Sequence, residues 1–367
     1  MRRAVSALTE RNMMETSGIE SESSPAGTNG PRKQAVLVTG GTGFVGSWAV
    51  VELLRRGYQV RTTIRNLARE SDVRSMIATE TDPASLAFTQ ANLLEDRGWD
   101  ESMAGVDFVL HVASPMPVGE YRGQDVINPA REGTLRVMRA ARAAAVKRVV
   151  ITSSTAAAMP ADRSGAVVAD ETIWTDLPDK EIYNYARSKT LAEQDAWRFI
   201  EANNGIELAT VLPAQIQGPV LGTDYSPSVE VVAMMLKGKM PAVPRIGFGI
   251  VDVRDLVDLH IKATTVPEAA GQRFIASSDF LWFKDIAQIL RDNLAELAAK
   301  VSTRTLPDFI VRIGALVNAE LKQLAPNLGV RQTASSAKAE RILDWKPRPA
   351  ACAIVDTAHS LISGNLV

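Results

Sequence analysis

A β-rich run, AVLVT (Ala35 to Thr39), leads directly into TGGTGFVGS, which spaces Gly40, Gly43 and Gly46 as GxxGxxG ahead of an apolar segment that stops at Gly57. A buried strand that turns through glycine straight into a helix cannot pair with its neighbour by a hairpin. The helix must carry the chain back across the sheet, so the next strand lies parallel to the first. The remaining pattern agrees. Strands are expected at YQVRTTI, LAFTQ, VDFVLHVAS, RVVITSS and IELATVL. Helices are expected near Val73 to Ala78, Ala130 to Ala145 and Tyr183 to Asn203. Such alternation predicts a parallel sheet with helices on both faces, in the Rossmann-type doubly wound α/β class.

Three regions follow. Residues 1–34, rich in Ser, Glu, Gly and Pro, are expected to form a disordered tail. Glu10 and Glu15 and the lack of a continuous apolar run argue against an export signal. Residues 35–215 are read as the nucleotide-binding domain, with IVDVRDLVDLHIKA and FIASS (about 250–278) returning to it as strand, helix and short strand. Residues 216–249 and 279–367 are broken by prolines and then mostly helical, and are read as a smaller substrate lobe.

The glycine turn has its own chemistry. Gly40 permits the tight turn, Gly43 lets a pyrophosphate approach the backbone, and Gly46 lets helix and strand pack closely, with the helix amino terminus facing the phosphates. Thr42, Phe44 and Val45 share that turn. At the end of the second strand an acidic residue would bind a free ribose 2′-hydroxyl and repel a 2′-phosphate. The sequence there is TTIRN, with Thr63 and Arg65 and with Arg69 nearby. A guanidinium can grip a phosphate with two hydrogen bonds, so NADPH/NADP+ is expected in preference to NAD. Asn92 and Leu93 are placed at the adenine edge.

Composition narrows the chemistry that remains. One cysteine, Cys352, excludes an internal disulfide and makes a reducing, cytoplasmic compartment the default. The three histidines are far apart without metal-ligand spacing, so no metal is expected. With 41 basic against 42 acidic residues and no basic run, neither nucleic acid nor a membrane surface is an expected partner. Hydroxyls and ammonium groups are left. Tyr185 and Lys189 form a YxxxK, which a helix brings onto one face. A nearby cation lowers a phenol's pKa from about 10 and suits it to acid–base work. Ser153 and Ser154 end the fifth strand, at the edge where open parallel sheets bind ligands, and a hydroxyl there can polarise a carbonyl.

Together TGGTGFVGS, TSS and YARSKTLAE resemble the extended short-chain dehydrogenase/reductases, and VRTTIRN, HVASP, INPAREGT and SKTLAEQDAW resemble their dihydroflavonol 4-reductase-like branch of NADPH-dependent aldehyde and ketone reductases. The resemblance runs from Ala35 to Val367, including the late WKPR. It implies that Tyr185 is the acid–base, that Lys189 holds the nicotinamide ribose and tunes the tyrosine, and that Ser154 rather than Ser153 binds the carbonyl oxygen. It further implies that Val112, Ala113, Ser114 and Pro213 flank the nicotinamide. Three positions depart from the pattern: Ala130 stands where short members of the family have a relay asparagine, with Asn128 displaced from it. Met159 replaces an asparagine of the plant flavonoid reductases, and Asn92 replaces a common aspartate.

Met116, Met159, Gln215 and Tyr225 are candidate substrate contacts, with Pro117, Val118, Ile216, Val220 and Leu221 as apolar company; this lining suits a hydrophobic carbonyl. The expected function is NADPH-dependent reduction of a small-molecule aldehyde or ketone, by a monomer or homodimer. The alternatives are an NAD-dependent sugar-nucleotide epimerase or dehydratase, which TTIRN disfavours, and a non-catalytic NADP(H) sensor, which the retained Tyr/Lys pair disfavours.

Overall fold

The computed structural model describes residues 32–115, 125–162, 164, 167–178, 183–316 and 325–367. Residues 1–31 of the expected tail, and Met116, Pro117 and Val118, lie outside them. In chain order the first elements are β1 (Ala35–Thr39), α1 (Phe44–Arg55), β2 (Gln59–Ile64), α2 (Glu70–Ala78), β3 (Leu86–Gln90), α3 (Trp99–Met103) and β4 (Phe108–His111). There follow α4 (Ile127–Ala143), β5 (Arg148–Thr152), α5 (Asn184–Ala202), β6 (Glu207–Pro213), β7 (Gln215–Gln217), α6 (Pro227–Leu236), β8 (Val243–Pro244) and β9 (Gly247–Asp252). The chain then forms α7 (Val253–Thr265), β10 (Arg273–Ala276), β11 (Phe280–Trp282), α8 (Phe283–Leu294) and β12 (Thr305–Leu306), and a last helix spans Ala350–Ser363.

Seven strands form one sheet in the order β3-β2-β1-β4-β5-β6-β10, every pair parallel. Strand side chains alternate between faces, and the apolar runs divide accordingly. Val36 and Val38, Phe108 and Leu110, Val150, and Ala209 and Val211 join one core, beneath α1 and α7. Leu37, Val109, Val149, Ile151 and Leu208 join the other, beneath α3, α4 and α5. A sheet apolar on both faces needs both helical layers. Each fully buried aliphatic side chain contributes about 1.5–3 kcal/mol relative to exposure.

The connection order reverses between β1 and β4, which opens a crevice at the carboxyl edge of the sheet. Segment 250–278 returns only in part. Helix α7 and strand β10 rejoin the main layers, but β9 pairs with β7 and β11 in a separate three-stranded sheet. The reason is geometric: β10 occupies the free edge of β6, with Arg273 opposite Thr210, and leaves β9 no edge there.

The C-terminal part locks onto this frame. Trp345 is fully buried and its indole N–H donates to Asp255 O at 2.8 Å. Arg348 grips the Asp255 carboxylate through Nε and Nη2. On the last helix the Thr357 and Ser360 hydroxyls accept from the Gly218 and Val220 amides, at 2.6 and 2.9 Å, and so fix the loop after β7.

Candidate active site

The glycine turn is shaped by tight geometry at Gly40 and Gly46. Gly40 has φ +76°, a left-handed conformation that favours glycine, and its N–H donates to Thr63 Oγ1 at 3.2 Å. A methyl on Gly46 would lie 2.1 Å from the Gly40 carbonyl oxygen, so α1 can abut the turn only through glycine. Gly43 differs. A methyl there would meet only the Gly40 oxygen at 3.5 Å, an ordinary contact, so the protein's own packing does not call for glycine. What a side chain would fill is the space in front of the turn. Gly43 is the N-cap of α1 and no side chain caps it, leaving the positive end of the helix toward that space.

Beside the turn, β2 ends in Thr63 and Ile64, followed by exposed Arg65 with no carboxylate among them. Arg69 donates to Asp224 at 2.9 Å across a cleft of about 300 Å³. The cleft is lined by Thr42, Phe44, Met76, Leu221 and Tyr225 among others. Tyr225, expected at the substrate, therefore stands beside the glycine turn and α2. Asn92 is engaged locally: its amide donates to Glu95 and its carbonyl accepts from the Leu94 N–H. Leu93 packs against Gly133 and into the core under α4.

Where β1 meets β4, Thr39 Oγ1 accepts the Val112 and Ala113 amides at 3.1 and 3.0 Å. Both lone pairs are used, so the hydroxyl hydrogen goes to His111 Nδ1, 2.9 Å away, and the imidazole carries its proton on Nε2. Burial, assisted by the Lys189 charge, pushes His111 down to about 3, which keeps it neutral. The segment Val112–Ser114 is thereby held against the turn, with Ala113 in contact range of Gly40.

The expected triad converges at the ends of β5 and α5. Ser154 follows β5 and caps a 3₁₀ turn, its Oγ accepting the Ala156 N–H at 3.1 Å. The Tyr185 phenol lies close enough to this hydroxyl to feel it. Tyr185 is half-buried in the first turn of α5, packed with Met159, Ala156 and Tyr183. Burial pushes its phenol above the usual value and the Ser154 hydroxyl pulls the other way. Lys189, one turn along, is buried and donates to Thr152 O at 3.0 Å. Burial pulls the ammonium down to about 8, against the pull of Glu193, which raises it.

Ser153 points elsewhere, donating to buried Glu193 Oε2 at 2.5 Å. Pro213 O accepts the Thr155 hydroxyl at 3.3 Å, which ties β6 to the turn after Ser154. Gln215, on β7, keeps a buried Oε1 with no hydrogen-bond partner. Asn128 donates to Asp125, and Ala130 is buried in α4. Sequence reasoning missed Thr39, His111 and Glu193. Only Glu193 carried a signal, its i+4 spacing from Lys189 on the helix.

Residues 36–275 match the model of the NAD dependent epimerase/dehydratase family. Tetraketide alpha-pyrone reductase 1 of Arabidopsis thaliana is 36% identical over 265 residues, 70% of this chain and 80% of that protein. Cinnamoyl-CoA reductase 1 of Petunia hybrida is 36% identical over 282 residues, covering 75% and 82%. Dihydroflavonol 4-reductase of Zea mays is 31% identical over 277 residues, covering 74% and 77%. The structure of vestitone reductase from alfalfa superposes with a TM-score of 0.70 at 26% identity, over 91% of this chain and all of that one. Yeast methylglyoxal/isovaleraldehyde reductase Gre2, solved with NADPH, shares the fold with a TM-score of 0.74 at 23% identity, over 91% and 100%. The chain belongs to the NAD dependent epimerase/dehydratase family, and within it to the extended short-chain dehydrogenase/reductases of the dihydroflavonol 4-reductase-like branch.

Proposed function

We propose that this protein is an NADPH-dependent carbonyl reductase that converts a hydrophobic aldehyde or ketone into the alcohol. The observation that carries the reading is the meeting of two hydroxyls, Ser154 after β5 and Tyr185 on α5, one helical turn from a buried lysine at the carboxyl edge of a parallel sheet. The turn fits a dinucleotide, because Gly43 is glycine without a packing reason of the protein's own. Gly43, Phe44 and Val45 would hold the pyrophosphate, with Val112, Ala113, Ser114 and Pro213 beside the nicotinamide and Asn92 and Leu93 near the adenine. The end of β2, with Arg65 and without an acid, supports NADPH over NADH.

When bound, the reduced nicotinamide supplies the hydride. Ser154 holds the substrate oxygen by hydrogen bonding, and Tyr185 gives that oxygen the phenolic proton. The Lys189 ammonium stabilises the phenolate left behind, and the position of Tyr185 in the first turn of α5 favours the same charge. Met159, packed on Tyr185, gives the pocket an apolar wall, which suits a carbon-rich substrate. The relatives compared above are named as reductases of a tetraketide alpha-pyrone, of cinnamoyl-CoA and of a dihydroflavonol, which supports the reaction class. Among the described residues no helix is long and apolar enough to cross a membrane. The single cysteine, which makes a reducing compartment the default, supports a cytoplasmic enzyme, proposed as a monomer or homodimer.

The test is NADPH oxidation, followed by absorbance, against a panel of aryl and alkyl aldehydes and ketones. Turnover of at least one member, lost in Tyr185→Phe, is expected. No turnover of any member, or undiminished turnover in the variant, would sink the reading.

A further inference from the structure

Among the described residues Glu193 is a fully buried carboxylate held by several donors, and nothing in the proposed chemistry uses it. Its side chain has no solvent exposure. Oε1 accepts from Thr210 Oγ1 at 2.7 Å and from Arg273 Nε at 2.8 Å, and Oε2 accepts from Ser153 Oγ at 2.5 Å. Arg273 is held in turn by the Glu171 and Ile173 carbonyls and lies 3.6 Å from the Trp174 ring centroid. Donors from the end of β5, from β6 and from β10 therefore converge on one carboxylate, with Arg273 supplying a charge-assisted hydrogen bond. A buried ion pair is a poor way to add stability, since apolar residues of similar volume often do as well. Its location suggests another use. Glu193 lies one turn beyond Lys189 on α5 and lines the same narrow cavity, with His111, Thr152 and Ser153.

We propose that Glu193 is a positioning residue that keeps Lys189 an ammonium, with its own negative charge anchored by Arg273, Ser153 and Thr210. The inference rests on the reductase reading for its consequence and on the geometry alone for its cause. Lys189 is enclosed, and its hydrogen-bond acceptor, Thr152 O, is neutral. The ionisable groups facing it are Tyr185 and Glu193 on its own helix and His111 on β4, with Arg273 behind Glu193. Tyr185 is a neutral phenol and His111 a neutral imidazole, so among the described residues Glu193 is the anion that opposes the desolvation of Lys189. Beyond Glu193, Arg273 interacts electrostatically with Asp170 and Lys338, and Lys338 with Glu171.

Two readouts test this. The first needs no substrate: in protein labelled with ¹³C-lysine, the Lys189 Cε resonance is followed against pH in wild type, Glu193→Gln and Glu193→Asp. The wild-type midpoint is expected near 8; it falls by about one pH unit or more in Glu193→Gln, as befits loss of a close opposite charge, and stays near wild type in Glu193→Asp. The second readout is the pH profile of kcat/KM with NADPH. Its descending alkaline limb moves down with the Lys189 midpoint in Glu193→Gln, and activity recovers toward wild type on the acid side.

A network with a purely structural role would lower melting temperature and rate together and leave both midpoints in place. Should Glu193→Gln not fold because Arg273 is stranded, the double variant Glu193→Gln/Arg273→Met is read against Arg273→Met, so that the opposing effect of losing the guanidinium is subtracted. A wild-type Lys189 midpoint below neutrality, or an unmoved midpoint in whichever variant folds, overturns the proposal. Absence of turnover in wild type with the expected NMR shifts would instead overturn the reductase reading and leave the pairing standing.

Discussion

Glycines at positions 43 and 46 lie three residues apart in one motif and should respond oppositely to the same added methyl. In Gly46→Ala the new carbon would lie 2.1 Å from the Gly40 oxygen and 2.8 Å from its carbonyl carbon, both backbone atoms that cannot swing aside. Either α1 shifts or the turn opens, and overpacking of this kind costs about 1–3 kcal/mol, sometimes more. In Gly43→Ala the nearest atom is 3.5 Å away, and the backbone, at φ −85° and ψ 167°, suits alanine. The cost is the loss of a good N-cap residue, below about 1 kcal/mol. The difference appears when nucleotide is added, because the Gly43 methyl occupies the space the phosphates need. Urea unfolding of the cofactor-free protein should show a clear loss for Gly46→Ala and little change for Gly43→Ala. Titration with NADPH should show affinity weakened about tenfold or more in Gly43→Ala, equivalent to about 1.4 kcal/mol. Wild-type affinity in Gly43→Ala would refute the assignment of the turn to phosphate binding, and wild-type stability in Gly46→Ala would refute the packing argument.

Tyr185→Phe removes the proton donor but leaves the ring against Met159; kcat should fall about 10²–10⁴-fold with NADPH affinity little changed, measured by steady-state kinetics and titration. Arg65→Ala should raise the KM for NADPH about 10–100-fold, the worth of a charged hydrogen bond to phosphate, and leave the KM for NADH nearly unchanged; equal effects on both would count against a 2′-phosphate contact. Folding stability should fall in acid because His111 and His260 are buried, with burial pushing them down to about 3 and about 4. Each is depressed below its unfolded value of about 6.5, so the unfolded chain binds more protons in between. Their contribution is present in full above that value and is lost as pH falls toward 4 and 3, roughly 2 kcal/mol per histidine by pH 5. Urea melts at pH 7 and pH 5 measure this, and a His260→Gln variant with an undiminished slope would contradict it.

Local pattern carried much of the fold. Strands β1 and β3 match their expected limits, Ala35–Thr39 and Leu86–Gln90, because buried parallel strands are short apolar runs bounded by glycine or polar residues. Helix α5 runs from Asn184 to Ala202, within one residue of its expected ends. The strand of IVDVRDL is expected in the main sheet, since it is as apolar as a central strand, and only competition with β10 for the edge of β6 sends β9 to the small sheet instead. The substrate side was the least legible. Tyr225 is in a loop whose position depends on Trp48 donating to Pro219 and on Thr357 and Ser360 of the last helix, contacts separated by more than a hundred residues.

By itself the sequence determined the layered α/β class, the glycine turn, the lack of an acid at the end of β2 and the one-turn spacing of Tyr185 and Lys189. These follow from helix and strand periodicity and from backbone sterics, which act between near neighbours. Tertiary structure decided the ionisation of the groups involved. Burial pulls Lys189 down and Tyr185 up, the Ser154 hydroxyl opposes one shift and the Glu193 carboxylate the other, and Arg273, 80 residues from Glu193, anchors that carboxylate. Desolvation and charge pairing depend on which distant segments are packed together, and the folded chain alone sets that.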